Sequence, residues 1–285
     1  MLADILLIIV ALIALLIASI SDIKTKEVPD FVSFGLIAIA LAIRFFYALI
    51  FSEWHYFIYG LLGFGAMFAF GSLIYYTKQW GGGDAKLLMG LGATFATTPF
   101  YLEISNIPFL VHMLTNLFIV GAIFGLISAF ILYLKNRKAT NKEFKKILIK
   151  NKNSLFIFLV IFLLLLIFSF FLQGFYKIAV IILIGSIFVY LLLFFFIKAI
   201  EKVGMFKIIP VSKLTEGDWV AEDIKIKNKL IYSKKSLGIE KYQINQLKKS
   251  TIKKVLVKEG MAFVPSIAIG VILTLLIGNV WIWLI

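Results

Sequence analysis

Residues 86–98 read Lys-Leu-Leu-Met-Gly-Leu-Gly-Ala-Thr-Phe-Ala-Thr-Thr, and whether this short apolar run crosses a membrane decides the fold. A bilayer's hydrocarbon layer takes about 20 apolar residues. Seven runs reach or approach that length: 2–20, 31–51, 56–76, 109–134, 154–173, 178–198 and 262–285. The 86–98 run is shorter and rich in small side chains, so length alone leaves it open. Parity closes the question. If all eight runs cross, the loops after the first, third, fifth and seventh share one side and hold 27 of the 29 Lys and Arg residues. Only Arg44 and Lys177 fall toward the other side. If 86–98 did not cross, the basic loop 135–152 would lie opposite Lys24 and Lys26. Basic residues collect on the cytoplasmic side. The expected fold is therefore an all-α polytopic membrane protein with about eight transmembrane helices, its N-terminus outside the cell membrane.

Composition agrees. Of 285 residues, 62% are hydrophobic and 15% charged. A soluble core of this size could not hide so much apolar surface behind so little polar cover. The net charge of +14 would suggest nucleic acid in a soluble protein; in a membrane protein it reports loop sidedness, so no nucleic-acid partner is expected beside the lipid bilayer. There is no cysteine and there are two histidines, His55 and His112. Disulfides, thiol nucleophiles and Cys-ligated zinc are excluded, and a His-rich metal centre or Ser-His chemistry is poorly supplied. The first run lacks a basic segment before it and a clear small-residue cleavage site, which predicts a retained helix.

Residues 201–260 change character. Lysines become frequent and short alternating runs appear at 206–211, 219–226 and 230–233, then a helix-like 239–248 and a strand-like 253–257. This predicts a small α/β or mainly β cytosolic domain before the last helix. The expected organisation is a membrane bundle over 1–200, the cytosolic domain over 201–260 and a C-terminal transmembrane helix over 261–285. The stretch 135–152 reads as a basic, partly amphipathic loop held at an anionic membrane face. Arg44 is expected to snorkel. His112, alone in the fifth run with Asn116 one turn on, is expected to form an interhelical hydrogen bond, and Gly121 and Gly125 a packing surface. His55, beside Glu53 and Trp54, reads as an interfacial anchor, and Trp281 and Trp283 as part of an aromatic belt.

Chemistry concentrates at two aspartates. Asp22 ends the first run in Ser21-Asp22-Ile23-Lys24-Thr25-Lys26-Glu27-Val28-Pro29-Asp30, and Asp84 follows three glycines in Trp80-Gly81-Gly82-Gly83-Asp84-Ala85-Lys86. Each has an ordinary structural explanation: Asp22 as the start of a polar loop, Asp84 as a helix cap suited to the positive end of the helix dipole. Together they offer more, because eight crossings put both on the cytoplasmic side at similar depth. Two neighbouring carboxyls cannot both ionise easily and share a proton. The ionised member can take a proton from water while the protonated one polarises a scissile carbonyl. That chemistry needs no metal, thiol or histidine.

Gly81-Gly82-Gly83-Asp84 matches the G-x-G-D motif of membrane aspartic proteases. The stretch Asp22-Ile23-Lys24 … Val28-Pro29-Asp30 resembles the first-aspartate motif of type IV prepilin peptidases, in the form seen in archaeal preflagellin (prearchaellin) peptidases. The resemblance covers about residues 1–98, and more loosely a final helix opening at Phe263-Val264-Pro265. It implies a membrane aspartic endopeptidase that removes the short basic leader of preflagellin- or pilin-like precursors at the cytoplasmic membrane face, usually after Gly. By this resemblance Asp22 and Asp84 are the catalytic pair, Lys86 stands at the family's basic position, Gly81 and Gly83 shape the loop, and no metal or cofactor is required. Bacterial relatives often carry a Cys-rich insert and methylate the new N-terminus; the absence of cysteine and of a G-x-G-x-x-G loop predicts no methyltransferase. The runs 154–173 and 178–198 exceed the family's six-helix plan and read as a peripheral hairpin.

Two alternatives differ in the residues they need. A presenilin or signal-peptide-peptidase type of intramembrane protease shares G-x-G-D, but has its first aspartate mid-helix after Tyr and a Pro-Ala-Leu element. A transporter using the aspartates for ions or protons prefers acids at the bilayer midplane on broken helices.

Overall fold

The structure, a computed structural model, describes residues 1–102, 107–226 and 229–278. The helices are α1 (Leu2–Thr25), α2 (Asp30–Phe51), α3 (Trp54–Tyr76), α4 (Gly82–Thr94), α5 (Phe109–Lys135), α6 (Arg137–Lys150), α7 (Lys152–Ser169), α8 (Gly174–Gly204), α9 (Lys241–Lys248) and α10 (Val264–Ile277). The strands are β1 (Phe206–Pro210), β2 (Trp219–Val220), β3 (Ile224–Ile226), β4 (Lys229–Tyr232) and β5 (Lys254–Lys258). The chain divides into two compact units, residues 1–126 with 260–285 and residues 127–259.

In the first unit, punctuation between helices is local. The helix α1 stops where Lys26 turns left-handed at φ 62° and its N–H bonds to the Asp22 carbonyl. Pro29, fixed near φ −61°, precedes α2, and Asp30 sits in that helix's first turn, where a negative charge suits the dipole. The α2–α3 turn uses Ser52 at φ 57°. Between α3 and α4 the small residues meet backbone to backbone: a Cβ on Gly63 would lie 2.3 Å from the Gly92 carbonyl oxygen. That approach explains why the short run is so rich in small side chains. The core joins Ala11, Leu15 and Ala18 of α1 to Leu87, Leu88 and Leu91 of α4, Met113 and Leu117 of α5, and Ile267 and Val271 of α10. Burial is densest on α4, whose residues 87, 88 and 90–94 are all buried.

Six helices among the described residues are long and apolar enough to cross a membrane: α1, α2, α3, α5, α7 and α8. The chain is thus mostly helical and reads as a multi-pass membrane protein. The helix α4 has 13 residues and α10 has 14. Trp281 and Trp283 lie outside the described residues.

The second unit holds α6–α9 and every described strand. Where the sequence predicts a loop over 135–152, Arg137–Lys150 is helical. Its apolar positions recur at helical spacing, and Phe144 packs edge-on against Phe196 of α8 with ring centroids 5.4 Å apart. The small sheet region falls late in the chain. Strand β5 is central, antiparallel to β1 (Phe206 opposite Lys258, Pro210 opposite Lys254) and to β2 (Trp219 opposite Lys258). A β3–β4 hairpin pairs Ile224 with Tyr232. Val211, Val220, Tyr232, Leu247, Val255 and Val257 form a separate core, with α9 closing it.

Candidate active site

Asp22 lies in the last turn of α1 and is only 4% exposed. Its partner is the start of α10: the Val264 N–H donates to Asp22 Oδ2 at 2.8 Å. The first N–H groups of a helix have no partner within it, so the carboxylate satisfies one of them. Pro265, in the first turn of α10, marks that helix start in the sequence. Phe263 packs on Trp80, which opens the glycine motif, at 5.2 Å between rings, and Gly121 of α5 leaves room for the Phe263 ring. The sequence shows the Phe263-Val264-Pro265 opening but gives no reason to place it against Asp22.

Asp84 is the third residue of α4 and caps the helix, accepting the Gly81 N–H at 3.1 Å. It is half-buried and stands ahead of the apolar run 86–98. Burial, then the charge of Asp22, push its carboxyl up to about 7, against a smaller lowering by the Gly81 N–H. The charge of one carboxyl therefore acts on the other.

The two motifs meet at two further points. A Cβ on Gly83 would lie 2.9 Å from the Val28 Cβ, so only glycine lets the α4 entrance lie this close to the loop after α1. Lys86 Nζ bonds to Asp30 Oδ1 at 2.6 Å and sits 5.3 Å from the Phe34 ring. Lys86 thus ties α4 to the start of α2. Gly81 faces the Asp84 carboxyl, 3.2 Å from where its own Cβ would be. The loop carrying Val28 is itself held by the Ser21 hydroxyl, which donates to the Glu27 carbonyl at 2.9 Å. All five sequence-derived site residues, Asp22, Gly81, Gly83, Asp84 and Lys86, thus fall in one neighbourhood, beside Val28 and Asp30 of the first motif and Phe263 and Val264 of the last run's opening.

At the other end of α4 the expectation for Arg44 is corrected. It does not snorkel; it is 0% exposed. Its guanidinium donates to the carbonyls of Ala93 (2.8 Å), Thr94 (2.9 Å) and Tyr56 (3.0 Å) and to the Thr97 hydroxyl (3.1 Å). It also lies 4.4 Å from the centroid of the Tyr56 ring, whose hydroxyl donates to Asp4 at 2.6 Å. The carbonyls at a helix C-terminus lack partners and carry negative partial charge, so a buried cation has a reason to sit there. One turn after His112, Asn116 bonds across helices, donating to Thr274 Oγ1 at 2.9 Å and to the Gly278 carbonyl at 2.6 Å. Gly125, unlike Gly121, has nothing among the described residues within 4 Å of where a Cβ would stand. His55 lies beside Glu53, with 3.0 Å between Nδ1 and Oε2, and is exposed.

Comparison with known proteins agrees with the motif reading. Residues 9–129 match the model of the Type IV leader peptidase family. A preflagellin peptidase of Methanocaldococcus jannaschii is 39% identical over 85 residues, 30% of this chain and 36% of that protein. A prepilin peptidase, EppA, of Methanothermobacter thermautotrophicus is 27% identical over 171 residues, 56% of this chain and 44% of that protein. A preflagellin peptidase of Methanococcus maripaludis is 27% identical over 146 residues, 48% of this chain and 63% of that protein. The matched stretches thus span between about a third and just under two thirds of those relatives. No solved structure matches the chain. The resemblance to the preflagellin and prepilin peptidases, read from two motifs, is borne out by the family match, which contains both aspartates.

Proposed function

We propose that the chain is a membrane aspartic endopeptidase that removes the short basic leader of preflagellin- or pilin-like precursors at the cytoplasmic membrane face, usually cutting after Gly. The observation that carries this reading is the placement of two carboxyls from α1 and α4 in one site, where burial and the charge of Asp22 together keep the Asp84 proton on to about pH 7. One proton shared by two acids is the working state of such a pair. The ionised member takes a proton from water, the oxygen attacks the peptide carbonyl, and the protonated member stabilises the developing oxyanion and then protonates the leaving amine. Asp22 and Asp84 are the catalytic residues in this reading, and Gly81, Gly83 and Lys86 shape the loop that receives the substrate backbone. No metal or cofactor enters any step.

The same reading takes the run 86–98 and the C-terminal apolar run as crossings, which gives eight, an outside N-terminus and a cytoplasmic pair. It also takes 201–260 as a cytosolic domain between a bundle over 1–200 and a C-terminal crossing that opens with α10. The local acids Asp22, Glu27, Asp30 and Asp84 would attract a basic leader that the basic face repels, and charge reversal at Glu27 and Asp30 should lower processing. The deciding experiment incubates purified protein with a pilin-like precursor whose leader ends in Gly and reads product mass. Cleavage after that Gly, absent in Asp22→Asn and Asp84→Asn chains, supports the reading; cleavage by both variants overturns it.

A further inference from the structure

The second unit lies almost wholly outside the family match and carries neither Asp22 nor Asp84. It does contain a built feature. A cavity of about 410 Å³ opens between α6 and α8, lined by Glu143, Lys146, Lys150 and Asn151 on one side and Lys198 and Lys202 on the other. Glu143 is mostly buried and holds two of the lysines, Lys202 at 2.5 Å and Lys146 at 3.8 Å. Both hold its carboxyl below the usual range, Lys202 first. Lys150 and Lys198 have no carboxylate within ion-pair distance among the described residues. Four cations against one anion leave the cavity strongly positive.

Its level on the hairpin is informative. On α8, Phe194 and Ile197 are exposed apolar residues immediately before Lys198. On the antiparallel α7, Phe156 and Ile157 are exposed just after the Lys150-Asn151-Lys152 junction. Both helices therefore change from lipid-type surface to basic surface at the cavity mouth. In a bilayer that boundary is the depth of the lipid phosphates. Lys198 leans along this border, with Nζ 5.6 Å from the Phe194 ring.

We propose that this cavity binds the headgroup of an anionic phospholipid, with Lys150 and Lys198 on its phosphate and the acyl chains lying along the exposed faces of α7 and α8. Charge complementarity selects a phosphate, and the apolar rim selects a lipid over a soluble anion. The amphipathic helix α6 is then one wall of a lipid site.

The test uses purified full-length protein in detergent, titrated with phosphatidylglycerol and, separately, with phosphatidylcholine, and read by native mass spectrometry. Phosphatidylglycerol should bind about tenfold or more tightly than phosphatidylcholine. The double variant Lys150→Gln/Lys198→Gln should lose about tenfold of that binding. Lys150→Arg/Lys198→Arg should keep the preference, and Lys248→Gln/Lys249→Gln, on and just after α9, should leave it unchanged. Equal binding of the two lipids by the unaltered protein overturns the proposal, as does an equal loss in the α9 control. Displacement of the lipid by equimolar glycerol 3-phosphate would assign the site to a soluble phosphate and overturn the lipid assignment. If the glutamine pair lowers the melting temperature sharply, the arginine pair decides: loss of the preference there, with folding intact, counts against the site.

Discussion

The two ends of α4 are built on opposite plans. Its N-terminal end is made of glycines, is capped by its own third residue, and meets Val28 and Asp30 through a close backbone approach and an exposed ion pair. Its C-terminal end is clamped by one buried guanidinium with four hydrogen bonds. An end held by contacts each worth little can adjust when a substrate backbone enters. An end whose carbonyls depend on a single buried cation cannot, because losing that partner leaves several polar groups unsatisfied at once. The helix therefore has an anchored end, and an end where the chemistry is proposed.

That contrast breaks most visibly at the carboxyls. Asp84→Asn and Asp22→Asn should each lower precursor processing by about 10²–10⁴-fold with little change in melting temperature, checked by product mass and thermal unfolding. A loss of stability as large as the loss of activity would make the aspartates structural caps. At the anchored end the order reverses. Arg44→Met should cost about 3 kcal/mol of stability by orphaning the Ala93 and Thr94 carbonyls, while the fraction that remains folded still cleaves; an unchanged melting temperature would remove the clamp.

Gly83→Ala should cost about 1–3 kcal/mol through its clash with Val28. Adding Val28→Ala should return part of it, and additive effects in that double-mutant cycle would mean the two motifs do not touch. The pH profile sharpens the same end. Asp84 carries a raised proton affinity, so its proton is present below about pH 7 and lost above. Processing should fall by roughly tenfold per pH unit on the alkaline side. The same direction applies to folding: the contribution of this group is present at acid pH and declines as pH rises through about 7. A flat profile from about pH 6 to 8.5 would contradict a shared proton. The smallest effect belongs to the exposed ion pair. Lys86→Ala should change stability by less than about 1 kcal/mol, and a larger loss would move Lys86 into the anchored class.

Much of this architecture is legible in the amino-acid sequence. The long apolar runs fall on helices over their described residues, because hydropathy over about 20 residues is a strong signal; the ends differ most at α1, which continues to Thr25, and at α8, which spans Gly174–Gly204. The alternating runs after residue 206 are strands with a helix between them. The short run begins earlier than its apolar pattern, at Gly82, because Asp84 caps the helix from inside and recruits the glycines into its first turn. The stretch 135–152 reads as a loop because its charge hides a single apolar face; what makes it a helix is Phe144 meeting Phe196 of another segment. Arg44 escapes the sequence reading for a related reason. A lone charge in hydrocarbon is expensive, so it reads as interfacial; its true partners are carbonyls of residues 49 and 50 positions away.

Sequence by itself determined that this chain is built for lipid, where its long apolar helices run, and which two acids merit attention. Those properties are local, set by side-chain polarity and turn chemistry along the chain. Tertiary structure alone decided that Asp22 accepts a hydrogen bond from the start of α10, that Asp22 and Asp84 share one field, and that Arg44 ends α4. Each of those is a pairing between distant segments, fixed by which faces pack, and no local pattern encodes the partner.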